Sequence, residues 1–310
     1  MKFGIQHPNY SFDGEAPAII DSLKNIVDKA EYLGYDSFWV MDHFHQIPNV
    51  GKPQEPMLEG WATISVLAGM TSKIKLGTMV TGNTYRHPSV LAKMGATLDV
   101  LSKGRLFMGI GAAWNDQEAS AYGIPFPPTK ERLQRLDEAV QVILRMWTED
   151  NASFDGKFYQ LRDAYCNPKP VQKPHPPIMI GGGGEKRTLK TVAKYGDASN
   201  LFGSPATVKR KLDILRGHCE KVGRDYDSIV KSKLGRIVMG DRETIEKNFK
   251  QMGVPAERMK EFLTYGTPEQ MHQQLEEFRE IGIEYLIFSF DPRNELEDLT
   301  RFANDVMSSF

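Results

Sequence analysis

The sequence has few of the features that mark secreted or membrane-spanning proteins. Only two cysteines occur in 310 residues, Cys166 and Cys219, and their spacing matches no metal-ligand motif. This usage excludes a disulfide scaffold and is typical of a reducing compartment. No apolar run resembles a membrane span or a secretion signal, and the N-terminus leads directly into a strand-like segment. We therefore expect a cytoplasmic protein without a membrane partner.

An excess of charge of either sign is also lacking. The chain carries 39 basic and 40 acidic side chains, which gives a formal net charge of -1. Such a balance creates no overall field that would attract nucleic acid or an anionic membrane surface. A small-molecule substrate is the partner that we expect.

Strand-like and helical segments alternate along the chain. Apolar runs predict strands at 3–6, 36–41, 74–80, 105–110, 178–180, 198–202, 231–238 and 285–290. Helical periodicity follows each strand, at 18–33, 58–70, 88–101, 130–147, 185–193, 205–221, 241–252 with 267–281, and 294–307. Because the strands are apolar throughout instead of alternating, a buried parallel sheet is indicated. Eight strand and helix units predict a single (β/α)8 TIM barrel over residues 1–310.

One stretch interrupts this alternation. Residues 153–161 place Asp-Gly between aromatic-rich arms and predict a small hairpin. Residues 167–177 contain five prolines and are expected to be extended and stiff. We therefore predict an insertion between the fourth helix and the fifth strand, over about residues 150–177 of the barrel.

Four consecutive glycines, Gly181 to Gly184, lie between a predicted strand and a predicted helix. Glycines at such a turn let the backbone approach a ligand closely, and the helix N-terminus favours an anion. Lys186 and Arg187 are expected in the first helical turn, where cations are unfavourable unless a negative group is also present. A phosphate would remove that conflict, whereas a flexible connector without a ligand is the alternative interpretation.

Polar residues follow several other strands. Asp42 and His43 come directly after the second strand, and either could simply serve a turn or a hydrogen-bonded wall. The two histidines of DHFH at 42–45 suggest a metal site, but Asp291 is the only further plausible ligand, so we expect no metal. The segment GIGAAW at 109–114 lacks the third glycine of a dinucleotide-binding fingerprint.

Four segments, in this order and at this spacing, resemble the bacterial-luciferase-like family of flavin- and deazaflavin-dependent oxidoreductases. They are DSFWVMDHF at 36–44, LGTMVTGNTYRHP at 76–88, LDVLSKGRLFMGIGAAW at 98–114 and PPIMIGGGGEKRTLKTVAKYGDASNLFG at 176–203, with YGTPEQM at 265–271 as a weaker fifth. The combination of LGTMVTG with GIGAAW looks most like the branch that uses the deazaflavin coenzyme F420. The family fold is a (β/α)8 barrel with an insertion after the fourth helix.

The resemblance implies a role for each loop. Asp42 would contact the polar edge of the coenzyme ring or its ribityl chain, and His43 would lie near the reacting carbon. A cis peptide at Met79-Val80 or Val80-Thr81 would support the ring. The backbone of Gly111, Ala112, Ala113 and Trp114 would line the ring and ribityl chain, and Gly181, Gly182, Gly183 and Gly184 would bind the phosphate. A homodimer is also implied.

The implied reaction is hydride transfer between coenzyme F420 and a small organic substrate. His43 is our candidate acid or base, because the ordinary pKa of histidine is close to neutrality. Weaker candidates for substrate contacts are His7, Tyr85 and His87. Two alternatives remain open: an FMN-dependent monooxygenase that uses reduced flavin and O2, and a non-catalytic protein that binds a flavin or deazaflavin.

The sequence departs from the pattern of family members that act on sugar phosphates. Those members carry a tryptophan shortly after Asp-His and a glutamate just past the fourth strand. Here the first region is HFHQIP, and Trp114 occupies the second position. A sugar phosphate is therefore a doubtful substrate. Asp116 and Glu118 lie close by, and solvated surface carboxylates are an equally good interpretation of both.

Overall fold

The computed structural model describes residues 1–12, 16, 18–48, 50–252 and 261–310, without the side chains of residues 251 and 252. Its main sheet is parallel throughout and follows the order β3-β2-β1-β12-β10-β9-β8-β5-β4, with β11 paired to β10. The strands of this sheet are β1 (Lys2–His7), β2 (Ser37–Val40), β3 (Lys75–Thr78), β4 (Thr81–Gly82), β5 (Met108–Gly111), β8 (Ile178–Gly181), β9 (Ala198–Leu201), β10 (Val230–Met239), β11 (Leu263–Gly266) and β12 (Tyr285–Ser289).

The two ends of this order meet and close a barrel. Leu76 of β3 forms a parallel bridge with Leu106, just before β5. The Leu76 N–H donates to the Arg105 carbonyl at 2.9 Å, and the Phe107 N–H donates to the Leu76 carbonyl at 2.9 Å. Since β3 and β4 are consecutive parts of one strand position, the wall has eight positions. The predicted (β/α)8 barrel is confirmed.

Helices surround the barrel, and several of them begin at the predicted signals. They are α1 (Ala18–Tyr32), α2 (Gly60–Met70), α3 (Pro88–Leu101), α4 (Asp116–Ala121), α5 (Thr129–Thr148), α6 (Thr188–Tyr195), α7 (Pro205–Val222), α8 (Arg242–Met252), α9 (Pro268–Glu280) and α10 (Glu295–Asp305). Thr267 forms a capping box with Gln270 ahead of α9, and Pro88 is the first residue of α3. The capping box satisfies N–H groups that the helix itself leaves unpaired, and Pro88 has no N–H to satisfy at that position.

The apolar core has two layers. Strand residues such as Phe38 and Val40 belong to a large buried cluster that also contains helix residues. A second cluster, which includes Trp39, Met179 and Ile287, consists of residues on or next to the strands. Because neighbouring strand residues point to opposite faces, the second cluster fills the barrel interior and the first packs the helices onto its outside. Burial on both faces explains why the strands are apolar throughout.

Several elements differ from the prediction. The third strand is divided into β3 and β4, and β11 and α4 were not predicted. A hairpin lies between α5 and β8 as expected, but its strands are longer than 153–161: β6 (Asn151–Asp155) pairs antiparallel with β7 (Gln160–Tyr165). The Glu138 carboxylate of α5 accepts hydrogen bonds from the N–H groups of the hairpin turn, at residues 157–159. The hairpin is thereby fixed to the outer surface of the barrel.

Candidate active site

The carboxyl ends of the strands enclose a cavity of about 310 Å³. Parallel α/β barrels have their active sites at this end. Of the residues predicted for catalysis or coenzyme binding, the lining contains all except Thr81, namely Asp42, His43, Met79, Val80, Gly111, Ala112, Ala113, Trp114, Gly181, Gly182, Gly183 and Gly184. Residues from separate parts of the sequence therefore meet in one place.

Thr81 has a structural position instead. Its side chain is fully buried, with Oγ1 2.6 Å from Thr78 Oγ1 and 2.9 Å from the donating indole nitrogen of Trp61. These hydrogen bonds connect the third strand position to helix α2. The cis peptide lies just before Thr81, at Met79-Val80, which is the first of the two predicted positions.

His43 is paired with Glu118, a carboxylate for which a solvated surface position was one of the two interpretations left open by the sequence. Glu118, on the short helix α4, is fully buried, and its Oε2 lies 2.7 Å from His43 Nδ1. The same oxygen accepts a hydrogen bond of 2.6 Å from the Tyr85 hydroxyl, while Oε1 accepts from the backbone N–H groups of Phe44 and His45. The interpretation of Glu118 as a surface carboxylate is therefore wrong, whereas Asp116 is exposed.

The surroundings of Glu118 favour its ionised form. Burial alone raises the pKa of a carboxyl group, but the hydrogen bonds from His43 and Tyr85, the interaction with the His43 ring and the Phe44 N–H outweigh burial and lower the pKa of Glu118 to about 2. An ionised carboxylate is only an acceptor, so His43 Nδ1 carries the hydrogen in this pair. In the part of the chain that the structure describes, His43 Nε2 has no hydrogen-bond partner and remains available to a ligand.

Asp42 lines the cavity as part of an ion cluster. Both of its oxygens accept hydrogen bonds from Arg86, at 2.7 and 2.9 Å, and Arg86 also donates to Glu59. Burial raises the pKa of Asp42, and the Arg86 guanidinium opposes this effect. Glu59 also accepts the N–H groups of Trp61 and Ala62, so it caps the start of helix α2.

Val80 packs between two glycines at the cavity wall. A Cβ atom on Gly111 would lie 2.8 Å from a Val80 methyl group, and a Cβ on Gly181 would lie 2.9 Å from another. Separations this short leave no room for a side chain at either position. The sequence places glycine at both sites, and the wall around Val80 can therefore be flat.

The glycine loop differs from the prediction at its helical end. Helix α6 begins at Thr188, so Lys186 and Arg187 precede it instead of lying in its first turn. A different cation approaches the loop: a Cβ on Gly183 would lie 2.5 Å from Nζ of Lys211, which donates to the Phe202 carbonyl at 3.4 Å. Lys211 belongs to α7, whose His218 also bonds the Glu185 carbonyl at 2.7 Å. Helix α7 thus supports the glycine loop through His218 and places the positive charge of Lys211 beside it.

The other candidates lie in the cavity lining, in the core or at an exposed helix start. Tyr85 lines the cavity, as do Thr188 and Leu234, which the sequence did not single out. His7 is fully buried, with Nδ1 2.8 Å from Glu295 Oε2, and His87 caps helix α3. Neither histidine is in the cavity lining given by the described residues. The position of Leu234 within a predicted strand was the one available signal for it.

Within residues 1–12, 16, 18–48, 50–252 and 261–310, no three His, Cys, Asp or Glu side chains are arranged to hold a metal ion. In the same ranges no helix has the length and hydropathy required to span a bilayer.

Comparisons with known proteins agree with this architecture. The F420-dependent glucose-6-phosphate dehydrogenase of Amycolatopsis mediterranei (strain U-32) is 28% identical over 313 residues, which cover 90% of this chain and 91% of the relative. The F420-dependent tetrahydromethanopterin reductase of Methanopyrus kandleri is similar in structure, with a TM-score of 0.83 at 19% identity over 100% of this chain and 99% of the other. The monooxygenase RslO1 of Streptomyces bottropensis gives a TM-score of 0.79 at 20% identity, with the same coverage.

Structural similarity at such low identity demonstrates the fold alone. The family assignment comes from the sequence, because the family model described as luciferase-like monooxygenase matches residues 1–252, most of the 310-residue chain. This chain belongs to the luciferase-like monooxygenase family.

Proposed function

We propose that this protein is an F420-dependent oxidoreductase that transfers a hydride between the deazaflavin coenzyme and a small organic substrate. One observation carries the proposal: a single cavity connects the glycine loop and its neighbouring lysine to the His43–Glu118 pair. The first end suits a phosphate, and the second suits proton transfer. The similarity to an F420-dependent dehydrogenase over nine-tenths of the chain supports the choice of coenzyme.

The residues present fit such a coenzyme. The glycine loop leaves its backbone open, and Lys211 adds a positive charge beside Gly183, so both would hold the phosphate. The glycines on either side of Val80 leave that wall free for a planar ring. The backbone of Gly111 to Trp114 would line the ring and ribityl chain, and Asp42 would face the polar edge. When bound, the deazaflavin supplies a carbon that accepts or donates hydride.

His43 then acts as the acid or base. Its Nδ1 hydrogen is directed at the ionised Glu118, so Nε2 carries the lone pair that takes the proton from a substrate hydroxyl. In the reverse direction the protonated ring returns that proton to a carbonyl oxygen. Glu118 is a positioning residue, since it fixes the ring orientation and tautomer without facing the substrate. Tyr85 holds Glu118 in place by its hydroxyl hydrogen bond.

Parallel titrations with F420 and with FMN test the choice of coenzyme. We expect F420 to bind and to be reduced by substrate, with changes in its absorbance and fluorescence. His43→Ala should retain coenzyme binding and lose turnover by roughly 10²–10⁴-fold. His272→Ala, on the outer helix α9, is the matched control and should keep wild-type turnover. Binding of FMN alone, with oxygen consumption after flavin reduction, would favour a monooxygenase. Coenzyme binding without transfer from any donor would favour a non-catalytic carrier.

We further propose a homodimer formed through helices α2 and α3. Val66, Val90 and Leu101 expose 48%, 54% and 65% of their surface on these two helices. Helix α2 is apolar on nearly all sides, a pattern typical of a buried helix. Val66→Glu should convert a dimer into a monomer in light scattering coupled to gel filtration, and an already monomeric wild type would contradict the proposal.

Two free cysteines support a cytoplasmic location, which cell fractionation would test.

A further inference from the structure

A groove on the outer surface, between helices α5 and α6 and the turn of the hairpin, carries more positive than negative charge. Its volume is about 320 Å³. Its lining contains two carboxylates and four basic side chains, which are Asp137 and Glu138 against Lys157, Arg187, Lys190 and Lys194. The whole chain has a formal net charge of -1, so this local excess does not follow from the composition. We call this space the basic groove.

The two carboxylates of the basic groove already have partners within the protein. Glu138 accepts hydrogen bonds from the backbone N–H groups of residues 157–159, at 2.8 to 3.2 Å. One oxygen of Asp137 lies 3.2 Å from the Thr191 hydroxyl and 4.0 Å from the Lys194 ammonium group. Both carboxylates are thus fixed by the fold, and their charge is partly compensated there.

The other three cations have no such compensation. In the part of the chain that the structure describes, Lys157, Arg187 and Lys190 have no carboxylate oxygen within 4.0 Å. Glu185, two residues before Arg187, pairs instead with Arg210 on α7. All three side chains are exposed and accessible to a ligand. The basic groove is therefore suited to an anion that the chain itself does not supply.

The basic groove begins where the glycine loop ends. Thr188 lines the candidate active-site cavity, and Arg187, the residue before it, lines the basic groove. Gly184, the last glycine of the loop, is three residues from Arg187, a stretch of chain that spans at most about 10 Å. A ligand whose phosphate lies at the glycine loop therefore needs only a short extension to reach the basic groove.

We propose that the basic groove is a second anion subsite for the coenzyme and binds carboxylates attached beyond its phosphate. This inference rests on the proposed function. F420 carries a chain of γ-linked glutamates beyond its phosphate, whereas FMN ends at the phosphate. Arginine and lysine both form charge-assisted hydrogen bonds with carboxylates. The basic groove therefore favours F420 over FMN at a distance from the ring, and it contributes to binding without taking part in hydride transfer.

Fluorescence titrations of the full chain with two forms of F420 test the inference, one with several γ-linked glutamates and one without glutamate. The glutamylated form should bind the wild type roughly tenfold more tightly at low ionic strength, since several exposed ion pairs of modest strength add together. Added salt should reduce this difference, because it screens exposed charges. Arg187→Gln/Lys190→Gln should lose most of the difference. It should keep wild-type affinity for the glutamate-free form and wild-type kcat at saturating coenzyme.

A control variant removes the same charge elsewhere. Lys24→Gln/Lys29→Gln, on helix α1 and outside the groove lining, should retain the preference for the glutamylated form. Equal affinity of the wild type for the two forms would overturn the inference and leave the coenzyme assignment standing. An equal loss of affinity for both forms in Arg187→Gln/Lys190→Gln would also overturn it, because the two side chains would then serve the phosphate.

A fluorescently labelled γ-glutamate oligomer distinguishes failure of this inference from failure of the proposed function. If neither form of F420 binds, but the oligomer binds the wild type more tightly than Arg187→Gln/Lys190→Gln, the proposed function is wrong and the carboxylate subsite stands. If neither form of F420 nor the oligomer binds, both the proposed function and the subsite are wrong.

Discussion

Replacing Glu118 with glutamine tests the centre of the proposed site, because its effect on stability depends on pH in a defined way. The pKa of Glu118 falls from an ordinary 4.5 to about 2 in the folded protein. At about 1.4 kcal/mol per pKa unit, the ionised carboxylate stabilises the fold by roughly 3 kcal/mol. This contribution is fully present above the unfolded-state pKa and is lost as the pH falls towards the folded-state value.

Urea unfolding of wild type and Glu118→Gln at several pH values is the assay. Glutamine does not titrate, so the linkage term is absent from the variant. The difference in unfolding free energy between wild type and Glu118→Gln should be largest near neutral pH and should shrink by about 2 kcal/mol near pH 3. Tyr85→Phe is the matched control: it removes one hydrogen bond to Glu118, should cost about 1–3 kcal/mol and should keep most of the pH dependence. A gap that is constant from neutral to acidic pH would refute the reasoning.

Turnover should fall along with stability. A glutamine side chain can present an N–H group to His43 Nδ1 and thereby favours the tautomer with hydrogen on Nε2. That tautomer cannot accept a proton from substrate at Nε2, so we expect a loss of roughly 10²–10⁴-fold in kcat at saturating coenzyme. Full activity of Glu118→Gln would show that Glu118 does not set the tautomer.

Three further predictions concern other parts of the chain. Burial lowers the pKa of Lys233 to about 8, so the charged form that predominates below that pH destabilises the fold. In urea titrations, Lys233→Met should therefore raise the free energy of unfolding by roughly 3 kcal/mol near pH 7. This gain should disappear as the pH rises through 8 towards 10.5. A Cβ on Gly109 would lie 2.0 Å from the Thr78 carbonyl, so Gly109→Ala should lower the free energy of unfolding by about 1–3 kcal/mol or more. The control Gly217→Ala, in open space on α7, should raise the free energy of unfolding by about 0.5–1 kcal/mol. Lys211→Met should weaken F420 binding about tenfold in fluorescence titrations, and unchanged affinity would remove Lys211 from the phosphate site.

Much of the fold could be predicted because its signals are local. The barrel strands are buried on both faces and therefore read as apolar runs, and helix starts such as Thr267-Pro268 carry their own caps. Strand β11 could not be predicted in this way. It has four residues and pairs with Arg236–Met239, the C-terminal part of the ten-residue strand β10. The apolar run predicts β10 as far as residue 238, but nothing in the sequence indicates that a further strand pairs with its C-terminal part.

Site residues could be predicted from the sequence where they directly follow a strand. Asp42, His43 and the glycine loop follow barrel strands, and the ends of parallel strands meet at one rim. Glu118 and Lys211 could not be found by this reasoning, because they lie on helices and reach the rim through packing. The burial of Glu118 depends on how the short helix α4 folds back over His43. The approach of Lys211 depends on how α7 lies beside the loop.

Glu59 has two roles, and together they couple helix α2 to the cavity. One carboxylate accepts the first N–H groups of α2 and also holds Arg86, the partner of Asp42. The start of α2 and the rim of the cavity therefore cannot move independently, and a ligand that tightens the ion cluster must also reduce fraying of the helix. Amide hydrogen exchange at the beginning of α2 would therefore report occupancy of the cavity. If two chains associate through α2, the Glu59 carboxylate connects each active site rigidly to the dimer interface.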